Sequence, residues 1–234
     1  MIEETDFEIF LYISKNKYNI SVLNKKKLEN IYTKDKNFIT ESSTDDLENL
    51  TKFLDNNIYR IEKILGYFIK NINVIVKNDK NFNVEIGFRE KIYEKSEYKK
   101  NLENNLIEIK DLFKENYQDQ TILHMLINGY IVNDERRLSL TGDNHGNHSS
   151  IETKFISISN DFLGLLDKLL EKYQIKVIKY ICGDYVHNFF VDNNLELSSM
   201  AYQLKNGLNE NEVILVPKNI ENKGFFEKFF QLFN

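Results

Sequence analysis

The stretch that most constrains the fold is residues 121–181, in which two strand-like segments precede a helix and a third short strand. The first segment, 122–132, is almost entirely apolar, and the second, 151–158, is rich in β-branched and aromatic residues. Such runs are typical of strands in a half-buried sheet. A long polar loop, 134–150, separates them.

Helical spacing follows the second strand and predicts a helix that begins at Asn160, a good N-cap residue. Its apolar side chains recur every three or four positions, at Phe162, Leu165, Leu166, Leu169, Leu170 and Tyr173. A third short strand, 175–181, comes after it. A helix between two strands suggests a crossover unit of a mixed sheet, and the fold class is predicted to be α+β.

Strand-like runs and helical spacing also predict the elements in the rest of the chain. Strands are predicted at 7–13, 18–23, 28–38, 73–77 and 82–89, with the last two paired to each other. Helices are predicted over 47–66, 91–116 and 197–208, the first introduced by a capping box at 43–46 and stopped near Gly66. Residues 212–217 are predicted to be extended.

Composition excludes several classes of protein. With 41% apolar residues in 234 positions, the chain can bury a substantial core. A net charge of −5 argues against a nucleic-acid partner held by a global positive field. The single cysteine, Cys182, excludes an internal disulfide, and we expect it to be a small buried residue at a strand end. The acidic N-terminus does not resemble a secretory signal, and no apolar run approaches the length of a transmembrane helix.

Phenylalanines dominate one face of a predicted helix at 224–233, which follows a polar spacer at 219–224. We interpret this as an interfacial helix whose apolar face enters the boundary between lipid headgroups and acyl chains. The predicted membrane-binding residues are Phe225, Phe226, Phe229, Phe230 and Phe233, with Lys223 and Lys228 near the headgroups. The alternative is a terminal helix packed on its own domain or in a partner's groove.

Candidates for chemistry are few. Asp143, His145 and His148 share one glycine-containing loop and resemble fragments of binuclear metallophosphoesterases, but two histidines and an aspartate cannot close a two-metal site. A solvated loop is the better interpretation.

His124 lies inside an apolar strand and is expected to be a hydrogen-bonded core residue. Cys182 and His187 lack an orienting third group. Together with the absence of phosphate-binding and nucleophile-elbow motifs, this predicts no catalytic residue, no metal, no cofactor and no enzymatic activity.

The order of elements resembles FtsA, the actin-like bacterial cell-division protein. Residues 10–23 resemble its first phosphate hairpin, and 44–54 resemble the helix after it. The match at 122–134 is the best one, because a Val-Leu-His-type strand there leads to a tyrosine and an aspartate. The terminal segment 224–233 resembles the family's membrane-targeting helix. The resemblance covers most of residues 6–190 and the tail.

The resemblance implies a partial actin-like (ribonuclease H-like) first lobe with an inserted strand-helix-strand-strand subdomain. It divides the chain into the first part of the lobe at 1–70, the inserted subdomain at 71–173, the rest of the lobe at 174–218, and a linker with the amphipathic tail at 219–234.

Two departures from the family predict that no ATP is bound. The family has an aspartate and a glycine where this chain has Tyr12 and Ser14, so neither metal organisation nor close approach of backbone amides to phosphate is provided. From residue 181 to the tail there are only about fifty residues, which leaves no room for a second lobe.

The resemblance therefore implies a non-enzymatic adaptor in cell division, on the cytoplasmic face of the cytoplasmic membrane. Its implied partners are another cell-division protein and the membrane, and an exposed strand edge could support a homodimer. One alternative is a soluble interaction module of another actin-like family, such as the pilus-assembly type. The other is a metal-dependent hydrolase using the 143–148 loop.

Overall fold

The computed structural model describes residues 6–38, 47–78, 81–91, 98–132, 135–137, 148–191 and 194–214. They form two compact units, the first within Met1–Asn81 and Ile158–Asn209, and the second within Phe82–Ser157 and Glu210–Asn234. The predicted capping box at 43–46 and the whole segment 215–234 lie outside the described residues.

The first unit is built on a five-stranded sheet. Its strands are β1 (Phe7–Ile13), β2 (Lys17–Asn24), β3 (Glu29–Asn37), β4 (Asn71–Val76) and β9 (Lys176–Cys182), in the order β3-β2-β1-β4-β9. Strands β1, β2 and β3 form an antiparallel meander, whereas β4 and β9 are added in parallel to β1. This topology is that of a partial actin-like, ribonuclease H-like lobe, and it confirms the predicted fold class.

Helices cover both faces of this sheet. Tyr18 is opposite Ile13 and packs its ring against Phe53 of helix α1 (Leu47–Leu65). Glu8 points to the other face of β1, where it contacts Lys205 of helix α5 (Leu197–Lys205). Helix α3 (Asn160–Glu171) lies beside α1, because Tyr173, just beyond α3, bonds Asp55 of α1 at 2.6 Å. The unit therefore has three layers, with its core on both faces of the sheet.

Local sequence explains where these helices begin and end. Leu50, Leu54, Ile58 and Ile61 are buried at the spacing of one helical face of α1, as predicted. Gly66 ends this helix with a φ of +79°, a backbone conformation that suits glycine, and its N–H bonds the carbonyl of Glu62. Gly207 follows α5 with a φ of +89°.

The second unit has a four-stranded sheet in the order β5-β8-β6-β7. Its strands are β5 (Phe82–Lys91), β6 (Gln120–Val132), β7 (Glu135–Arg137) and β8 (His148–Ser159). Helix α2 (Tyr98–Asn116) packs Leu102, Leu106, Ile109 and Phe113 against one face of it. The chain order β5-α2-β6-β8, with short β7 between the last two, is the predicted strand-helix-strand-strand arrangement.

Strand pairing differs from the sequence prediction in two places. The strand at 82–89 was expected to pair with 73–77, but β5 pairs with β8, whereas β4 pairs with β1 and β9. The helix α3 was expected to cross between two strands of one sheet, but β8 and β9 belong to different sheets. Both errors have one cause: each strand's pattern was correct, but its partner is fixed by burial in a core that periodicity does not identify.

Three further details also differ. The N-cap of α3 is Ser159 rather than Asn160, and its side chain makes no capping hydrogen bond. A seven-residue helix α4 (Gly183–Phe189) was not predicted, because so short a segment carries little periodicity. The inserted unit begins after residue 81 rather than at 71, because β4 is hydrogen-bonded into the first sheet, and α3 also belongs to the first unit.

Candidate functional site

Three parallel strands of the first unit end side by side. Ile13, the last residue of β1, is opposite Val76 of β4, and Val76 is opposite Cys182 of β9. In open sheets of this kind, ligands bind outside the carboxyl ends of the strands. The β1–β2 turn also lies at this end of the sheet. This edge is therefore the candidate functional site.

Ser14 closes the β1–β2 turn. Its Oγ accepts a hydrogen bond from the Lys17 amide at 3.0 Å, and its own amide donates to the Lys17 carbonyl at 2.9 Å. The hydroxyl is also within 2.9 Å of Asn16 Oδ1. Serine commonly closes turns in this way, because its short hydroxyl reaches the backbone a few residues on. The Ser14 and Lys17 amides are thus both bonded within the turn.

Lys17, at the end of this turn, forms an ion pair with Asp35 of β3. The Lys17 Nζ lies 2.9 Å from Asp35 Oδ1, and Asn19 donates to the same carboxylate at 2.8 Å. Burial alone would raise the pKa of Asp35, but the hydrogen bonds from Lys17 and Asn19 hold it below its ordinary value. Lys17, the last residue of the turn, is therefore engaged with a carboxylate.

An ion pair and a close backbone contact join the end of β4 to the start of helix α4 (Gly183–Phe189), which follows β9. Lys77 Nζ lies 3.3 Å from Asp184 Oδ1. A Cβ on Gly183 would lie 3.1 Å from Cβ of Lys77 and 3.3 Å from the carbonyl oxygen of Val76, so glycine lets α4 begin directly against β4. Burial lowers the pKa of His187 in α4, and the Lys77 charge lowers it further. The His187 imidazole is therefore neutral at neutral pH, beside the Lys77–Asp184 ion pair.

Cys182 is buried at the end of β9, as the sequence predicted. Its Sγ accepts a hydrogen bond from Asn81 Nδ2 at 3.3 Å. Burial raises the pKa of the thiol, although bonds from backbone amides oppose the effect. A thiol in such surroundings is protonated at neutral pH and is a poor nucleophile.

The other residues that the sequence analysis considered fall largely outside the described residues. Asp143 and His145 are among these, and for His148 only the backbone position at the start of β8 is described. Within the described ranges, no three His, Cys, Asp or Glu side chains are grouped closely enough to hold a metal ion. The predicted membrane-binding residues also lie outside the described residues, so their role stays a prediction. They are Lys223, Phe225, Phe226, Lys228, Phe229, Phe230 and Phe233. Among the helices that are described, none has the length and hydropathy to cross a bilayer.

His124, in the second unit, is a hydrogen-bonded core residue, as expected. Its Nδ1 lies 2.8 Å from Glu212 Oε1, and both side chains are buried. The partner was not predicted, because 88 residues separate it from the histidine in sequence. Sequence analysis missed three residues at the strand ends, Lys77, Asn81 and Asp184. The one available signal was their position, since Lys77 ends a predicted strand and the other two follow predicted strands within a few residues.

Comparison with known proteins adds only distant similarities. No known protein family matches the sequence, and no curated protein does. The chain is similar to a Bacteroides thetaiotaomicron protein of actin-like ATPase fold and unknown function, with 14% identity, coverage of 81% of this chain and 58% of that one, and a TM-score of 0.32.

Two further solved structures are similar to a comparable extent. One is the cytoplasmic domain of EpsL, an inner-membrane component of the Vibrio cholerae type II secretion system (11% identity, 76% of this chain, 59% of that chain, TM-score 0.36). The other is a PilM–PilN type IV pilus biogenesis complex (6% identity, 78% of this chain, 49% of that chain, TM-score 0.46). The chain thus spans 49–59% of the length of each of the three, and TM-scores this low carry no information on its function.

Proposed function

We propose that this chain is a non-enzymatic adaptor built on an actin-like lobe that does not hold a nucleotide. In this proposal it binds another protein of bacterial cell division and attaches to the inner face of the cytoplasmic membrane. The observation that carries the non-enzymatic part is the closure of the β1–β2 turn by Ser14. The membrane part rests on the phenylalanine face at 225–233.

The turn supports the absence of nucleotide binding through its hydrogen bonds. A phosphate group bound at a turn replaces water on several inward-pointing amides. Here the Ser14 and Lys17 amides are bonded to Lys17 O and Ser14 Oγ, so a phosphate would first have to break those bonds. Tyr12, buried in β1, occupies the position of the family's metal-organising aspartate and offers no carboxylate.

Isothermal titration calorimetry of the whole chain with Mg²⁺-ATP, and separately with Mg²⁺-ADP, tests this part. We expect no saturable heat with up to about 1 mM nucleotide, a concentration at which even a weak site with a free energy of about −4 kcal/mol is half occupied. Saturable binding of either nucleotide at lower concentration would overturn it.

Vesicle flotation tests the membrane part. The whole chain is compared with a chain that ends at Asn222 and with a Phe226→Glu, Phe230→Glu variant, which places charge on the apolar face. Fully burying one phenylalanine is worth about 1.5–3 kcal/mol, so two charged replacements should abolish flotation. The matched control is Gln231→Glu, which adds a charge to the opposite face and should still float. If the whole chain does not float, the soluble interaction module replaces the membrane adaptor.

Co-purification tests the protein partner. The full chain, tagged at its N-terminus, is mixed with purified bacterial cell-division proteins, one at a time, and complexes are detected by a shift in elution volume. We expect at least one to form a complex that survives removal of nucleotide, because the proposal gives nucleotide no role. A requirement for ATP would contradict the adaptor proposed here.

A further inference from the structure

A cleft lies at the amino ends of β1 and β4, at the opposite end of the sheet from the candidate functional site. Its volume is about 200 Å³, and the start of β1, the start of β4 and the segment that joins α1 to β4 border it. This is space for several water molecules or for one small solute, whereas a nucleotide needs a larger pocket. All the residues that line the cleft belong to the first unit.

Asn73 is a polar side chain in an otherwise apolar part of β4. It is 1% exposed, lies opposite Phe10 of β1, and has buried Ile72 and Val74 on either side. Its Nδ2 donates a hydrogen bond to Glu8 Oε2 at 3.1 Å, but its Oδ1 meets no donor among the described residues. Buried acceptors in native proteins nearly always have a donor. Asn73, which lines the cleft, therefore has an unused acceptor there.

Glu8 provides a second acceptor in the cleft. Its side chain is 18% exposed, and its Oε2 accepts bonds from Asn73 and from Lys205 Nζ of α5. Within the described part of the chain, both of these bonds go to Oε2, so Oε1 can accept a further donor. Because Lys205 already balances the charge of Glu8, a neutral donor such as a hydroxyl suits Oε1 better than a second cation. Apolar residues often replace such an ion pair without loss of stability, so the fold alone does not require it.

The mouth of the cleft carries groups that suit an anion. Lys25 and Lys70 line it, and so does Asn71, an exposed residue whose side-chain amide is a donor. Lys25 forms no ion pair with a carboxylate of the described residues. A phosphate ester has three acceptor oxygens for these three side chains, whereas a carboxylate has two. Ile69 and Ile178 add apolar walls.

We propose that this cleft binds a small phosphate ester that carries hydroxyl groups, such as a glycerol phosphate. The phosphate contacts Lys25, Lys70 and Asn71 at the mouth, and the hydroxyl groups donate to Asn73 Oδ1 and Glu8 Oε1 inside. Both inner acceptors are then satisfied. The inference goes beyond the adaptor function, and binding of a soluble ester can be measured whether or not that function holds.

Isothermal titration calorimetry of the whole chain with glycerol-3-phosphate tests the proposal. We expect saturable binding with a dissociation constant below about 1 mM. Propyl phosphate, which lacks the hydroxyl groups, and glycerol, which lacks the phosphate, should each bind at least about tenfold more weakly. The absence of saturable heat with up to about 10 mM glycerol-3-phosphate, or equal affinity for propyl phosphate, would overturn the proposal.

Variants of the lining residues locate the site. Lys25→Gln removes a charge at the mouth and should raise the dissociation constant by at least about tenfold. The matched control is Lys27→Gln, an exposed lysine of the same turn that does not line the cleft, which should leave it unchanged. Asn73→Val replaces the inner acceptor with a residue suited to a strand, and should remove most of the preference for glycerol-3-phosphate over propyl phosphate. Thermal unfolding shows whether this variant is folded. Equal affinities of the Lys25 and Lys27 variants would overturn the site.

Glycerol phosphate is also the headgroup of the lipid phosphatidylglycerol, and a vesicle experiment distinguishes the two sources. The Phe226→Glu, Phe230→Glu chain, with its predicted membrane-binding face altered, is sedimented with phosphatidylglycerol vesicles, with and without Lys25→Gln. Vesicle binding that Lys25→Gln abolishes assigns the ligand to a lipid headgroup. Binding of glycerol-3-phosphate without vesicle binding assigns it to a soluble ester.

Discussion

The Nδ1 of His124 and the Oε1 of Glu212 lie 2.8 Å apart in the core of the second unit, with both side chains no more than 4% exposed. The pair joins β6 to a segment far along the chain. Backbone bonds flank it, because Ile127 donates to the Asn211 carbonyl and Val213 donates to the Met125 carbonyl, each at 2.8 Å. A buried polar pair therefore anchors this segment to the sheet.

Replacing Glu212 with alanine should lower the free energy of unfolding by about 1–3 kcal/mol, because the buried imidazole of His124 would lose its hydrogen bond to this carboxylate. Urea denaturation of the whole chain measures the loss. The matched control is Glu210→Ala at an exposed position of the same segment, for which a change within about 0.5 kcal/mol is expected.

The double replacement His124→Leu with Glu212→Leu should be less destabilising than Glu212→Ala alone. Removing both polar groups leaves neither of them buried without its partner, and leucine restores part of the volume. If the double variant were the less stable of the two, the pair itself would be a large source of stability and this explanation would be wrong.

Phe113 is fully buried and stacks on Phe155, with ring centroids 4.7 Å apart. Phe113→Ala should therefore cost about 3–5 kcal/mol, the usual loss for removing a buried ring. Leu112, the preceding residue of α2, is 48% exposed, and Leu112→Ala should change stability far less. Thermal unfolding of both variants makes the comparison, and similar losses would contradict the packing of α2 on the sheet.

Tyr180 donates a hydrogen bond to Asp167 Oδ1 at 2.7 Å, and burial together with that carboxylate raises the pKa of the phenol well above its ordinary value of 10.0. Above about pH 10 the unfolded chain loses the phenolic proton while the folded chain keeps it. The unfolded state then binds fewer protons, so stability falls as pH rises, and the contribution of Tyr180 is fully present only below about pH 10.

Wild type and Tyr180→Phe should thus differ in stability by a constant amount from pH 7 to 9, and the difference should shrink above pH 10. Urea midpoints measured across this range check the prediction. Asp167→Asn removes the charge but keeps an acceptor, so its stability should fall less steeply than that of wild type above pH 10. A difference that stays constant to pH 11 would contradict the assigned pKa direction.

The Cys182 thiol should react slowly with Ellman's reagent in the folded protein, because it is buried and its pKa is raised. We expect labelling at pH 8 to be slower by at least about 100-fold than in 6 M guanidinium chloride, since reaction requires opening of the structure. Fast labelling of the folded chain would contradict the burial of Cys182 and reopen a nucleophilic role.

Much of the fold was predictable because the relevant signals are local. The apolar runs of β1 and β2, the apolar face of α1 and the glycine that ends α1 are signals that act within a few residues, and the structure has all four where the sequence places them. His124 was likewise predictable, because a histidine inside an apolar strand has to find a hydrogen-bond partner there. At the candidate site, Tyr12 and Ser14 were identified, but the closure of the turn by Ser14 was not.

The sequence by itself thus determined which segments are strands and helices, and which side of each is apolar. Only the tertiary structure decided that β5 pairs with β8, that β4 and β9 lie together, and that Glu212 faces His124 across 88 residues. The physical reason is one of range. Local propensity and periodicity depend on neighbouring residues, whereas a strand's partner depends on which arrangement of the whole chain buries all the apolar faces at once.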